Sequence, residues 1–288
     1  MPRVPAPLKC HGGKWYLADR IIKLFPPRDS YTTYVEPYFG GGSVLLRHDP
    51  AGKSEIVNDL NYNLTCFWRT LASPAAFQEM YRRLGGTPFS EVEYGEAQAI
   101  LDRPNGGTGG AAQGPDMMTR AWAFFVVARQ SMSGRGDCFA PASTARTRGG
   151  RNEQANSWWG AIDKLPAVAQ RVEGLMIHHG KAVRIVKKYD KPGVLIYLDP
   201  PYLVTDVDGT KVRESGDVYD HEMTLEEHRE LLEVLVGLKH ARVLLSGYPS
   251  KLYDSYLTGW RKTVFRIDNK ASKKAAKDIK DEVVWSNY

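Results

Sequence analysis

Val194-Leu195-Ile196-Tyr197-Leu198, closed by Asp199-Pro200-Pro201-Tyr202, constrains the fold more than any other stretch of the chain. An apolar run bounded by Lys191-Pro192-Gly193 and a diproline reads as a short, fully buried strand. Proline has no backbone N–H, so the ladder must stop at Pro200 and the chain must leave the sheet. A carboxylate, the Pro200 carbonyl and an aromatic ring are thereby held at the carboxyl end of a central strand. Ligands of open α/β sheets bind at that end. The competing reading is a strand-ending turn with a core tyrosine.

The rest of the chain supplies the alternation such a sheet needs. Tyr34-Val35-Glu36 reads as a strand broken by Pro37, and Tyr38-Phe39-Gly40-Gly41-Gly42-Ser43 as a loop. A helix is expected to open at Val44-Leu45-Leu46-Arg47, followed by a strand over 55–59 and a helix over 64–71. Further strands are expected over 175–178, 241–246, 263–267 and 282–285. Thr224 and Glu227 form a capping box for a helix whose apolar face is Leu225, Leu232, Leu235 and Leu238. This order implies a parallel or mixed sheet covered on both sides. Residues 72–171 break the pattern with repeated glycine pairs, one strongly apolar helix over 115–130 and an arginine- and glycine-rich tract over 129–151. They read as a separate inserted lobe, with 105–114 as a flexible loop. At 288 residues the chain is long enough to bury both parts.

Cys10, Cys66 and Cys138 are widely spaced and odd in number, so neither a disulfide framework nor a metal-ligand spacing follows. A reducing cytosol is expected. The start Met1-Pro2-Arg3-Val4-Pro5-Ala6-Pro7 has no apolar core of signal-peptide length, and no run of about 18 apolar residues occurs elsewhere. The expectation is a protein that is neither secreted nor membrane-spanning. A net charge of +6 permits a polyanionic partner without demanding one.

Phe39-Gly40-Gly41-Gly42-Ser43 lets a ligand approach the backbone where a Cβ would collide. A helix start behind it would offer N–H groups to an anion. A dinucleotide fingerprint needs glycine where Leu45 stands, so NAD is disfavoured. Glu36 and Asp59 end successive strands, and an acid at the second position suits ribose hydroxyls. Strand-ending acids also cap helices. A glycine turn with ribose acids and no pyrophosphate fingerprint describes an S-adenosylmethionine site better than an NAD site.

In these residues and several further motifs the chain resembles the Dam-type (D12 class) DNA adenine-N6 methyltransferases over nearly its full length. Gly12-Gly13-Lys14 is similar to that family's amino-terminal cofactor motif, the 35–44 stretch to its glycine motif, and Asn58-Asp59-Leu60-Asn61 to its ribose acid. Asp199-Pro200-Pro201-Tyr202 resembles its catalytic tetrapeptide. Met223-Thr224-Leu225-Glu226-Glu227-His228, Leu245-Ser246-Gly247-Tyr248 and Glu282-Val283-Val284-Trp285 also look like family segments. Where the family has a tryptophan before its first motif, this chain has Cys10, and Trp15 or Tyr16 would have to supply an aromatic wall.

The resemblance implies a Rossmann-like α/β methyltransferase sheet with helices on both faces and an inserted, mainly helical target-recognition lobe. The implied parts are 1–71 (cofactor part), 72–171 (recognition lobe) and 172–288 (catalytic part). It implies S-adenosylmethionine held by Cys10, Lys14, Glu36, Phe39, Gly40, Gly42, Asp59 and Asp199, and catalysis by Asp199, Pro200 and Tyr202. The adenine amine is a poor nucleophile because its lone pair is delocalised into the ring. The Asp199 carboxylate and the Pro200 carbonyl would each accept one N–H and turn that lone pair toward the methyl group. A carboxylate is far too weak a base to deprotonate a neutral aryl amine beforehand, so positioning and electrostatic stabilisation are the expected roles. Tyr202 would stack on a base flipped out of the duplex.

Double-stranded DNA is the expected partner, in a bacterium or a phage-infected one, with room for a cognate restriction endonuclease. Arg129, Arg135 and Arg148, beside Arg146 and Arg151, are the lobe's candidate DNA contacts; Trp158 and Trp159 read equally as a groove-reading element or as core. Lys273 and Lys274, within a lysine run over 270–280, read as phosphate contacts or as a solvated loop. Cytosine N4, RNA, a DNA-binding relative without turnover, and a nuclease built on Asp116, Asp278 and Lys280 are the rival readings. No cysteine follows a proline, as a cytosine-C5 nucleophile typically does.

Overall fold

In chain order the strands are Thr33–Glu36 (β1), Ser54–Asp59 (β2), Thr147–Arg148 (β3), Arg151–Asn152 (β4), Met176–His179 (β5), Val194–Leu198 (β6), Arg242–Gly247 (β7), Arg261–Asp268 (β8) and Ile279–Ser286 (β9). The α-helices are Ala18–Ile22 (α1), Tyr62–Leu71 (α2), Pro74–Gly85 (α3), Glu91–Leu101 (α4), Met117–Gln130 (α5), Glu153–Ile162 (α6), Leu165–Val172 (α7), Ala182–Lys188 (α8), Leu225–Val236 (α9) and Lys251–Tyr256 (α10). This computed structural model describes residues 4–8, 13–104, 116–134, 136–140, 147–148, 150–213, 221–268 and 279–288. The chain divides into two units: Met1–Ile22, Gly40–Asp49 and Asn61–His179 make the first, and Lys23–Phe39, Pro50–Leu60 and Gly180–Tyr288 the second.

The strands of the second unit lie in the order β2-β1-β6-β7-β9-β8. The neighbours from β2 to β7 are parallel, while β9 runs antiparallel to β7 and β8 antiparallel to β9. The expected mixed α/β sheet is therefore present. Side chains alternate across a strand, so every second residue serves one face. Val35, Ile196, Leu198, Val243, Leu245, Val283 and Trp285 form one face and are buried against Ile185 and Val186 of α8, Leu231, Leu232 and Leu235 of α9, and Leu252 and Tyr253 of α10. Leu231 belongs to this face although the leucine spacing did not single it out. The capping box is realised: Thr224 Oγ1 accepts from Glu227 N, and the Glu227 carboxylate accepts from Thr224 N. His228 lies wholly inside, its Nδ1 2.9 Å from the Tyr253 hydroxyl.

The alternate residues include buried polar groups beside the apolar Leu195, Leu244 and Val284. Tyr34 donates to Glu36 Oε1 at 2.6 Å, and the Tyr197 and Ser246 hydroxyls lie 2.9 Å apart. Buried polar groups must find partners, and here neighbouring strands supply them.

The first unit is mainly helical around α5. Ala121, Trp122, Ala123, Phe125, Val126 and Val127 are all buried, as expected of a helix apolar nearly all round. Phe125 stacks on Phe67 of α2 at 5.7 Å and tilts against Trp158 of α6. Both indole N–H groups reach Thr87: Trp122 Nε1 to its hydroxyl and Trp158 Nε1 to its carbonyl. Trp158 is thus core, which decides between its two readings. The helix begins at Met117 because the Asp116 carboxylate caps Thr119 N at 2.7 Å, which gives that acid a structural use in place of the nuclease reading. Helices α3, α4, α6 and α7 went unread in the sequence. Pro74 after Ser73, the Ser90 cap on Val92 N and the Asn152 cap on Gln154 N are the start signals they carry. Thr147 pairs with Asn152 and Arg148 with Arg151 in a short hairpin. Among the described residues no helix is long and apolar enough to cross a membrane.

Candidate active site

Because β2, β1, β6 and β7 run parallel, their carboxyl ends share one edge of the second unit. Asp59 ends β2, Glu36 ends β1, Asp199 follows β6, and Tyr248 follows β7. Asn58 ties this edge together from within, donating through Nδ2 to the carbonyls of Pro37 at 2.9 Å and Gly180 at 2.8 Å. Phe39 N donates to Asn58 O and Gly180 N to Asp59 O. The turn leaving β1 is therefore fixed to the end of β2, and with it the backbone carrying Glu36 and Asp59. Asn58 was read only as part of a motif; its buried amide is a positioning group.

Glu36 is 2% exposed and holds the Tyr34 hydroxyl. The Oδ1 atom of Asp199 is closed off from solvent. Burial first, then the Asp199 carboxylate, pushes the Tyr197 phenol well above its ordinary range, with Glu36 and Glu282 adding to the effect. That phenol stays protonated. Carboxylates converging on one buried ring make this edge electronegative and suited to a cation. Tyr202 is 4% exposed, with its hydroxyl 3.5 Å from Glu282 Oε2 and its ring edge-on to Tyr248 at 4.6 Å. Glu282 was noted only within a strand segment; an acid opening the apolar run Val283-Val284-Trp285 is the signal that marks it.

The remaining predicted cofactor residues lie in the first unit. Lys14 is buried in a single 3₁₀ turn, Lys14–Tyr16. Gly40 and Gly42 have φ of 50° and 67°, the left-handed region that glycine enters without strain. The Gly40 carbonyl accepts Trp68 Nε1 at 2.9 Å, and a Cβ added at Gly40 would meet nothing within 4 Å. The loop thus keeps space open where a side chain would project. The helix expected behind it is not formed: Leu45–Arg47 is one 3₁₀ turn, closed by Arg47 N to Val44 O and His48 N to Leu45 O and followed by extended His48. Pro50 lies too close for more, since a residue before proline avoids the helical region. Arg171 holds that turn through the carbonyls of Leu45 and His48. No helix N-terminus therefore stands directly behind this loop to receive an anion. Trp15 is 40% exposed, with the Arg47 guanidinium 3.7 Å from its ring centre.

Arg129, an expected DNA contact, is partly buried. Its guanidinium donates to the Ser157 carbonyl at 3.2 Å, and burial lowers its pKa. Arg148 sits on the short hairpin opposite Arg151. Cys10, Arg135, Lys273 and Lys274 lie outside the described residues.

A model of the D12 class N6 adenine-specific DNA methyltransferases matches residues 11–275. The chain belongs to this family. It is an enzyme that transfers a methyl group from S-adenosylmethionine to the N6 amino group of adenine in DNA. No curated protein matches it. The residues of this methyltransferase fit its cofactor in kind. Strand-end carboxylates can accept hydroxyl and ammonium hydrogens, and the left-handed glycines leave the backbone approachable. When bound, S-adenosylmethionine supplies an electrophilic methyl group on a cationic sulfur.

Proposed function

We propose that the chemistry takes place at the carboxyl edge of the second unit, with Asp199, Pro200 and Tyr202 as the catalytic residues. The observation that carries this is the place of Asp199: directly after the buried central strand β6, between the ends of β1 and β7, with one oxygen shielded from water. There its carboxylate and the Pro200 carbonyl accept one amino hydrogen each, and the amine lone pair is directed at the methyl group. The proton leaves after the N–C bond has formed. Tyr202 stacks on the base, which must be flipped because N6 is shielded inside a duplex.

Glu36, Phe39 and Asp59 hold the cofactor from the sheet, with Cys10, Lys14, Gly40 and Gly42 supplied by the amino-terminal and glycine segments. The 72–171 region reads the DNA sequence, with Arg135 and Arg148 as base contacts, and Lys273 and Lys274 bind phosphate. Arg129 is a further candidate, with one guanidinium nitrogen bonded to the Ser157 carbonyl. A bacterial or phage-infected cytoplasm, with or without a partner endonuclease, suits such an enzyme.

The test is Asp199→Ala, assayed with radiolabelled cofactor on DNA and by mass analysis of digested nucleosides. Transfer should be abolished with DNA affinity held within about tenfold. Near-wild-type turnover would reduce the tetrapeptide to a structural turn, and methylated cytosine in the wild-type digest would move the chemistry to another base.

A further inference from the structure

From Thr205 to Lys211 every residue is exposed except Asp206, which is 6% exposed. This stretch follows the Asp199–Tyr202 segment and folds back on itself: Asp206 N donates to Thr210 O, Gly209 N to Asp206 O and Val212 N to Val204 O. A surface turn has no need of a buried carboxylate for its own sake. The Asp206 side chain is used elsewhere. Its Oδ2 accepts Lys251 N at 2.6 Å, while its Oδ1 accepts Leu252 N at 3.1 Å and the adjacent Val207 N at 2.8 Å. Lys251 and Leu252 open α10, and the first N–H groups of a helix have no partner within it. The N-cap Ser250 accepts Tyr253 N through its hydroxyl, so Asp206 serves the two donors that the cap leaves over. α10 is itself anchored, with Leu252 and Tyr253 in the apolar core.

We infer that Asp206 is a positioning residue for methyl transfer: by holding the start of α10 it fixes the course of the Asp199–Tyr202 segment relative to the chain leaving β7. Pro200 and Pro201 have no N–H with which to fasten that segment, so it depends on what holds its two ends. Strand β6 holds one end. At the other, Leu203 enters the core and Asp206 grips α10. This rests on the reading of Asp199, Pro200 and Tyr202 as catalytic.

The test measures turnover on DNA whose methylated site has first been located by sequencing DNA from cells expressing the chain. Asp206→Ala should lower kcat per folded molecule by about 10- to 100-fold and leave KM for DNA within about threefold, because a misplaced acceptor slows the step without loosening the duplex. Lys251→Pro isolates one bond. Ser250 is already extended, with φ −150° and ψ 149°, and proline is well accepted at the first helical position. The helix therefore stands while the N–H that Asp206 Oδ2 accepts is gone. This variant should lower kcat about 3- to 10-fold and add nothing to the loss in the Asp206→Ala background. Lys251→Ala removes the exposed side chain and its ion pair with Asp208, keeps the N–H, and should turn over like wild type. A kcat per folded molecule within about twofold of wild type in Asp206→Ala, equal losses in the two Lys251 variants, or additive losses in the double variant would each make the tether merely structural and overturn the inference. Asp199→Ala run alongside separates the failures: if it is inactive, only the role of Asp206 falls, and if it is active, the underlying reading falls first.

Discussion

The two units use their polar residues in opposite ways. In the second, acids and amides stand at strand ends, where parallel register gathers Glu36, Asp59 and Asp199 on one edge. In the first, polar side chains are consumed by the fold. Arg120 is 1% exposed, donating to the carbonyls of Arg103 and Pro104 at 2.7 Å each and to Asn63 Oδ1 at 3.0 Å. Gln130, with no exposure, bonds Pro88 O and Ser90 N. The contrast teaches that a charged residue in a sequence names a chemistry only when the backbone also fixes where it points. A strand end does that, and an irregular helical lobe does not.

The largest effect that sharpens this contrast is expected at Arg120. Hydrogen bonds from a charged donor contribute about 1.5–3 kcal/mol each, and Arg120→Ala would leave buried carbonyls without their donor. Denaturant unfolding should show a loss of about 3–5 kcal/mol. Methyl transfer per folded molecule should remain. A variant of native stability with lost activity would place Arg120 in the chemistry and break the comparison.

His228 is the second unit's own exception, a polar group consumed by packing. Burial carries its pKa from 6.5 down to about 4, Arg213 acting in the same direction and Glu227 and Glu222 against it. The unfolded chain therefore takes up this proton before the folded one does. The stability is fully present above pH 6.5 and drains away as pH falls toward 4, by about 3 kcal/mol in all. The difference in unfolding free energy between wild type and His228→Gln, followed from pH 7 to 4, isolates this contribution. A flat difference would mean that the histidine takes up its proton inside the fold as readily as in the unfolded chain.

Much of the sheet was legible because its signals are local. The diproline ended β6, and Thr224 with Glu227 opened α9 one residue later. The glycine loop is the strand-end turn its composition implies, but Asp49-Pro50 stops the expected helix after one 3₁₀ turn. The lobe was legible only at α5. Its other helices are half-exposed and short, and their capping residues were outweighed by the glycine pairs around them. Tyr248 and Glu282 could not be assigned from sequence because their significance lies in what Tyr202 touches, and register between strands distant in sequence decides that.

Asp59→Ala tests the sheet edge directly. Losing a charge-assisted hydrogen bond of about 1.5–3 kcal/mol should weaken cofactor binding about 10- to 150-fold. Isothermal titration reads this, and thermal unfolding of the free protein should change little. Unchanged affinity in a folded variant would make Asp59 a structural acid like those of the lobe, and the two units would then differ less than proposed.

The smallest effect is expected at Arg129, where the two uses of an arginine make different predictions for one substitution. Used internally, its guanidinium contributes the bond to Ser157 O and the packing of its stem, so Arg129→Ala should cost about 1–2 kcal/mol of stability. A phosphate contact would instead leave stability alone and flatten the dependence of log affinity on log salt by about one unit. Binding measured at several salt concentrations on one duplex, beside denaturant unfolding, reads both at once. An unchanged slope is the expected outcome, because the Nη2 group bonded to the Ser157 carbonyl would have to give up that bond before it could reach a phosphate. A slope that flattens with stability intact would return Arg129 to the DNA surface.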